Sequence, residues 1–489
     1  MMRILEKIRL SAQSLQRVLT YLLVVYLVTF FLTLGADYPG HLFFREIYGA
    51  ILFVLLIGVF WRDFRSNRKY HLSVIYFGLF VSYEVFRMAY AAFALGTGVH
   101  ETLHLPLSRF MEVPFRWGFY FIYFFVCTFC FKKKSDVKML MNWMGWMSAF
   151  LAVNAIPALL MRPGEIPSGY LSEGRFLSFF YPTFYVFDWI PQYILSIHSQ
   201  PNFIGDIVGF GFFPALGLIF YKIFEIKDIS KRAKDHPGEK MDSKEILYLG
   251  WRMFFAFLIA AAVILLLSRG SIVAFSGSLI FYLLLLGIKF RHKGGLVFVL
   301  LITMIMGLFL SMSVNWGQVK REFKALKIEQ EGWKNDPNHD VRLSRSIYTN
   351  RAGAQRAWAI YKAHPLWGVG TNGYRSLSET YSRGGAWDSF PVAKFQAMNH
   401  YLQLLAEEGV GAFLYFLFLF VYFFEMIRGM MRVKSRFQFL AALSLMAPVL
   451  MVFSHASIND LMQRFSTSML VYATMGASLG VLREDYDHH

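Results

Sequence analysis

GVGAFLYFLFLFVYFFEMI, residues 409–427, decides what kind of molecule this chain is. It is an unbroken apolar run with one acidic side chain, Glu425, near its end. Its length is close to the roughly 20 residues that a helix needs to cross a bilayer. Runs like it recur on both sides. By length they give about twelve spans, near residues 17–35, 47–61, 72–95, 115–131, 137–161, 201–224, 247–268, 271–288, 294–314, 409–427, 438–456 and 462–482.

Composition agrees with this reading. Of 489 residues, 56% are hydrophobic, 18% aromatic and only 17% charged, a balance far from that of a soluble domain. The expected fold is all-α, a polytopic membrane protein of about 12 transmembrane helices with a large, partly helical outer loop. Three regions follow: 1–314 with about nine spans and a smaller outer loop at 162–200, the large loop at 315–399, and 400–489 with about three spans.

Basic connections set the orientation. RDFRSNRK (62–69), KKK (132–134), the Lys-rich 225–246, RHK (291–293) and RGMMRVKSR (428–436) fall on one side if the spans alternate. The positive-inside rule makes that side cytoplasmic, together with both termini, and sends 162–200 and 315–399 outward. Much of the formal charge of +17 is therefore topology, and nucleic-acid binding is not expected. Arg3, Lys7 and Arg9 precede an apolar run too long for a signal h-region, so the first helix reads as uncleaved. Cys127 and Cys130 stand one turn apart in an apolar helix with no partner cysteines, which favours packing over redox or metal chemistry.

Polar residues inside spans are costly and therefore informative. Glu84 and Arg87 are three apart and suited to an ion pair, as are Glu112 and Arg116 at their own spacing, with the lining of a polar cavity as the other reading. Asp206 has no obvious local partner. Arg269, in the turn Ser268-Arg269-Gly270 between the seventh and eighth spans, offers a permanently charged five-donor fork suited to phosphate, or else snorkels to lipid headgroups.

The outer loop adds more. A charged stretch, KREFKALKIEQEGWKNDPNHD (320–340), reads as a surface helix and polar turn. Arg351, Arg356 and Lys362 lie on a helical segment that stops at His364-Pro365, and such a basic face also serves as an interfacial anchor. GVGTNG (368–373) matches a dinucleotide pattern but follows no strand, so its glycines serve a tight turn or a close approach. His400 opens HYLQLLAEEG ahead of Glu407 and Glu408, and is either a general base toward a sugar hydroxyl or a structural hydrogen-bonding group.

Four pieces then converge: SQPNFIGD (199–206), the Ser268–Gly270 turn, the Arg351 helix running into HPLWGVGTNGY (364–374), and NHYLQLLAEEG (399–409). In their order, and with a long outer loop before the last three spans, the chain resembles the O-antigen ligase and O-antigen polymerase superfamily over roughly residues 199–430. The resemblance implies a membrane glycosyltransferase at the periplasmic face of the bacterial inner membrane. Its donor would be a glycan on undecaprenyl diphosphate, and its acceptor a sugar hydroxyl of the lipid A core or of a second lipid-linked repeat unit. It implies no cofactor and no metal.

The same resemblance assigns roles. Arg269 and Arg351 would hold the diphosphate, with Arg175 and Arg356 as further substrate-binding arginines, Asn202 and Asn399 as polar substrate contacts, and His400 as the catalytic base. One position departs. Ligase-type members place a His before an Asn about eleven residues ahead of a Gly, where this chain has Met398, and His400 follows two residues later. Either the segment is locally extended and His400 takes the role, or the chain is a polymerase with another arrangement. A flippase for lipid-linked oligosaccharide and an inert scaffold are the alternatives from other classes.

Overall fold

In this computed structural model the described residues are 14–27, 49, 51–52, 54–59, 71–96, 107–131, 133–160, 201–235, 243–265, 269–290, 344–370, 373–378, 380–381, 397–457, 462 and 465–483. Their main elements are α1 (Leu72–Gly96), α2 (Leu107–Cys130), α3 (Lys134–Leu160), α4 (Pro201–Phe210), α5 (Phe212–Asp235), α6 (Ser243–Leu265) and α7 (Arg269–Lys289). They continue with α8 (Ser344–Ala363), α9 (Gly373–Leu377), α10 (His400–Glu408), α11 (Gly411–Arg432), α12 (Arg436–His455) and α13 (Phe465–Val481). The all-α expectation holds. Among the described residues six helices are long and apolar enough to cross a membrane, and Ser14–Leu27, Arg116–Cys130 and Thr467–Val481 are shorter apolar helices. The expected span at 294–314 lies outside the described residues.

Helix α12 is the hub. It is buried along most of its length and packs against α5, α7, α11 and α13, while α6 is mostly exposed and presents its flank outward. Helices α2 and α13 pair most intimately. Gly476 lets α13 approach so closely that a Cβ there would lie 2.1 Å from the Phe124 carbonyl oxygen, and small residues are what close helix pairs in lipid require. Cys127 and Cys130 are buried free thiols in this seam, as the packing reading expected.

The expected sixth span is not one straight helix. It breaks at Gly211 between α4 and α5, and Ser148 of α3 mends the break: its Oγ accepts from the Gly211 N–H at 3.0 Å and donates to the Ile207 carbonyl at 3.2 Å. Freed backbone groups in an apolar medium need such partners. Arg269 also differs from its expected place. It is not in a turn but opens α7, with Gly270 in the same first turn of helix.

The bundle has two chemically distinct ends. At one, Lys134 donates to the Tyr221 hydroxyl at 2.6 Å, Lys222 pairs with Glu245 at 2.8 Å, Arg436 pairs with Asp228, and Lys289 donates to the Met431 and Val433 carbonyls at 2.9 and 2.8 Å. These residues border the basic connections. The opposite end gathers the start of α4, the start of α7, α10 and the end of α12, and there the described part of the 315–399 segment docks. A small second core of Ala357, Ile360, Val369, Tyr374, Ala397 and Ala406 ties α8 and α9 to α10.

Candidate active site

The corner that opens α10 is built by one asparagine. Asn399 is extended (φ −154°, ψ 106°), and its Oδ1 accepts from the Leu402 N–H at 3.0 Å in an N-cap, while its Nδ2 donates to the Ser457 carbonyl at 2.6 Å. The His400 N–H donates to the Ala456 carbonyl at 2.9 Å, and the Tyr401 hydroxyl to that of Phe453 at 2.7 Å. The start of α10 is thus bolted to the end of α12. Met398 sits at φ 51°, in the left-handed region, and Asn399 is extended, so the right-handed helix begins only at His400.

His400 itself is buried, 5% exposed. Its ring packs edge-on to Tyr415 at 6.0 Å and beside Tyr401, and its Nε2 has no hydrogen-bond partner. Burial pushes the imidazole down to about 4, so the ring is neutral at physiological pH.

The other end of α10 holds a buried charge cluster. Arg87 of α1 donates through Nη2 to Glu84 at 2.6 Å and forms an ion pair with Glu408, and donates through Nη1 to the Glu407 and Trp367 carbonyls at 2.5 and 3.1 Å. The Glu84–Arg87 pair stands as expected, with Glu408 as a third member that spacing could not supply. Tyr83 adds a bond to the Glu408 carbonyl at 3.1 Å, and Trp367 stacks between Tyr83 and Tyr90, with ring centroids 6.2 and 5.4 Å away. The glycines make the contact possible. Gly368 (φ 62°) lies so close to α10 that a Cβ would meet the Glu407 carbonyl oxygen at 2.2 Å, and Val369 and Gly370 then donate to the Ala406 and Glu407 carbonyls at 3.0 and 2.9 Å. Gly409 (φ 56°) closes α10 against Leu366. These glycines serve close backbone approach, as the non-nucleotide reading of GVGTNG expected.

A third feature lies beneath the corner. Asp206 of α4 has the partner it lacked locally: its Oδ2 is 2.6 Å from Nδ1 of His455, the last residue of α12. Both are buried, His455 at 1% exposure and Asp206 at 0%. Ser271, in the first turn of α7 two residues after Arg269, also hydrogen-bonds the carboxylate. The pair therefore joins the middle of α4, the first turn of α7 and the end of α12, one residue from the carbonyl that receives His400.

The remaining candidates are placed by backbone only. Asn202 lies in α4, Arg269 opens α7 and Arg351 lies in α8, and their side chains, like the whole of Arg175, are outside the described residues. Arg356 is buried on α8, 2% exposed. Among the described residues no group of three or more His, Cys, Asp or Glu side chains is arranged to hold a metal ion. The geometry joins Asn399 and His400 to the end of α12, while the start of α7 meets that end only through Ser271, Asp206 and His455. The sequence reading missed His455, although a titratable residue closing an apolar span is the same kind of signal that marked Asp206.

Comparison with known families adds one decisive observation. Residues 254–417 match the O-antigen ligase family model. The interval runs from within α6 into α11, so it carries Arg269, Arg351, Arg356, Asn399, His400, Glu407 and Glu408, and it supports the O-antigen ligase/polymerase superfamily and a membrane glycosyltransferase of that type. Asp206 and His455 lie outside it. A search of curated proteins finds no match.

Proposed function

We propose that the protein transfers a glycan from an undecaprenyl-diphosphate-linked donor to a sugar hydroxyl, on the periplasmic side of the inner membrane. The observation that carries this is the O-antigen ligase match across α7, α8 and α10, of which α7 and α10 are tied to α12 and α8 packs on α10. The leaving group is a lipid diphosphate. Its developing charge would be met by Arg269 and Arg351, because preorganised guanidinium forks stabilise phosphate oxygens without a proton change, with Arg175 and Arg356 as further cations. Asn202 and Asn399 are polar contacts for the sugars, and the acceptor hydroxyl comes to the Asn399–His400 corner.

The acceptor decides between ligase and polymerase. Purified protein is given undecaprenyl-diphosphate glycan with a second lipid-linked repeat unit, and separately with a lipid A core, and the products are sized. Longer lipid-linked chains identify a polymerase, and core-attached glycan a ligase. Absence of product with either, together with flipping in vesicles, rejects the enzyme in favour of the transporter. Arg269→Ala and Arg351→Ala each abolish transfer in a folded protein, and near-normal activity in both rejects their diphosphate roles.

A further inference from the structure

A base that takes a proton in a dry site must be aimed by its neighbours and must have its new positive charge compensated. His400 has neither support. Its Nε2 has no hydrogen-bond partner, and its ring is packed among tyrosines. His455 has both. Asp206 Oδ2 lies 2.6 Å from Nδ1, and with Asp206 ionised the proton sits on Nδ1 and the lone pair on Nε2. The same carboxylate would compensate an imidazolium. Asp206 is in turn fixed by Ser271, in the turn of helix that Arg269 opens.

Place supports the same choice. His455 ends α12, and Ser454 and Ser457 beside it are exposed, so the ring lies one layer beneath the polar end of the bundle. Ala456 and Ser457 receive hydrogen bonds from His400 and Asn399, so the corner proposed for the acceptor is built on the residues that follow His455. An ionisable pair inside a membrane bundle is expensive and is retained where it works.

Resting on the glycosyl-transfer reading, we infer that His455, oriented by Asp206, is the general base for the acceptor hydroxyl. The acceptor oxygen forms a bond to the anomeric carbon as the bond from that carbon to the diphosphate oxygen breaks. The bonding pair leaves on the lipid diphosphate, the hydroxyl proton passes to Nε2 of His455, and the imidazolium returns it to water before the next turnover. His455 is then a catalytic residue, Asp206 and Ser271 are positioning residues, and His400 forms the wall that excludes water.

The test uses the full chain with undecaprenyl-diphosphate glycan and whichever acceptor the wild-type protein elongates. His455→Gln should lower kcat by about 100-fold or more, the scale of a general base. Its KM for the donor should stay unchanged and its melting temperature close to wild type. Asp206→Asn should lower kcat in the same way, and Asp206→Glu should recover part of it, which a purely structural tie would not do. His400→Gln should lose less than His455→Gln. The inference is overturned if wild type transfers and His455→Gln transfers within about threefold of it, if the order of the two histidines is reversed, or if the losses appear in donor KM alone. Should His455→Gln fail to fold, the kcat of the two Asp206 variants decides by the same criteria. No transfer by the wild-type chain with either acceptor removes the glycosyltransferase reading, and the base with it.

Discussion

Arg87 holds two buried carboxylates, Glu84 and Glu408, on a single guanidinium nitrogen, while its other nitrogen satisfies two carbonyls. Removing one partner of a buried ionic cluster leaves uncompensated charge, which costs about 3–5 kcal/mol. Arg87→Met should therefore lower the thermal midpoint sharply, and adding Glu84→Gln with Glu408→Gln should recover part of the loss. No recovery would show that the carboxylates are not what Arg87 stabilises. How much of this cluster was legible follows from sequence distance. Glu84 and Arg87 are three apart on one helix and could be paired from spacing alone, whereas the bond from Arg87 to the Glu407 carbonyl joins positions 320 apart. Asp206 and His455 are 249 apart, so Asp206 was visible as a costly intramembrane acid and its partner was not. Composition and spacing report local chemistry, and long-range pairing is decided by how the helices pack.

At the scale of elements, the apolar runs gave helices where length and hydropathy were strong, as in α11 and α12, because a helix satisfies its backbone hydrogen bonds within one segment of chain in lipid. The break between α4 and α5 was illegible, since the serine that repairs it belongs to another helix. The α2–α13 seam is the element contact most open to test. Gly476→Ala places a Cβ 2.1 Å from the Phe124 carbonyl oxygen, which is backbone and cannot swing aside. Forced overpacking of this kind costs about 1–3 kcal/mol. The melting temperature should fall accordingly, and Gly277→Ala, where a Cβ would meet nothing within 4 Å, should leave it near wild type. Equal effects of the two substitutions would mean that the seam is looser than described.

For the whole molecule, the two unlike ends carry the orientation. Cys127 and Cys130 are both buried, so a cysteine placed on the surface is the reactive one. Leu366→Cys, at a position 65% exposed beside the candidate site, should react with a membrane-impermeant thiol reagent added outside intact spheroplasts. Lys434→Cys, in the basic connection between α11 and α12, should react only after the membrane is opened. The reverse pattern would turn the protein over and place the site in the cytoplasm. The Arg87 cluster also bears on how the chain is assembled during synthesis. Helix α1 leaves the ribosome long before α10 exists, and it enters the bilayer with Glu84 and Arg87 already neutralising each other. Glu408 arrives only with the last quarter of the chain, and its docking on a guanidinium already in place makes closure of the polar end a late event in biogenesis, one that a truncated or stalled chain never reaches.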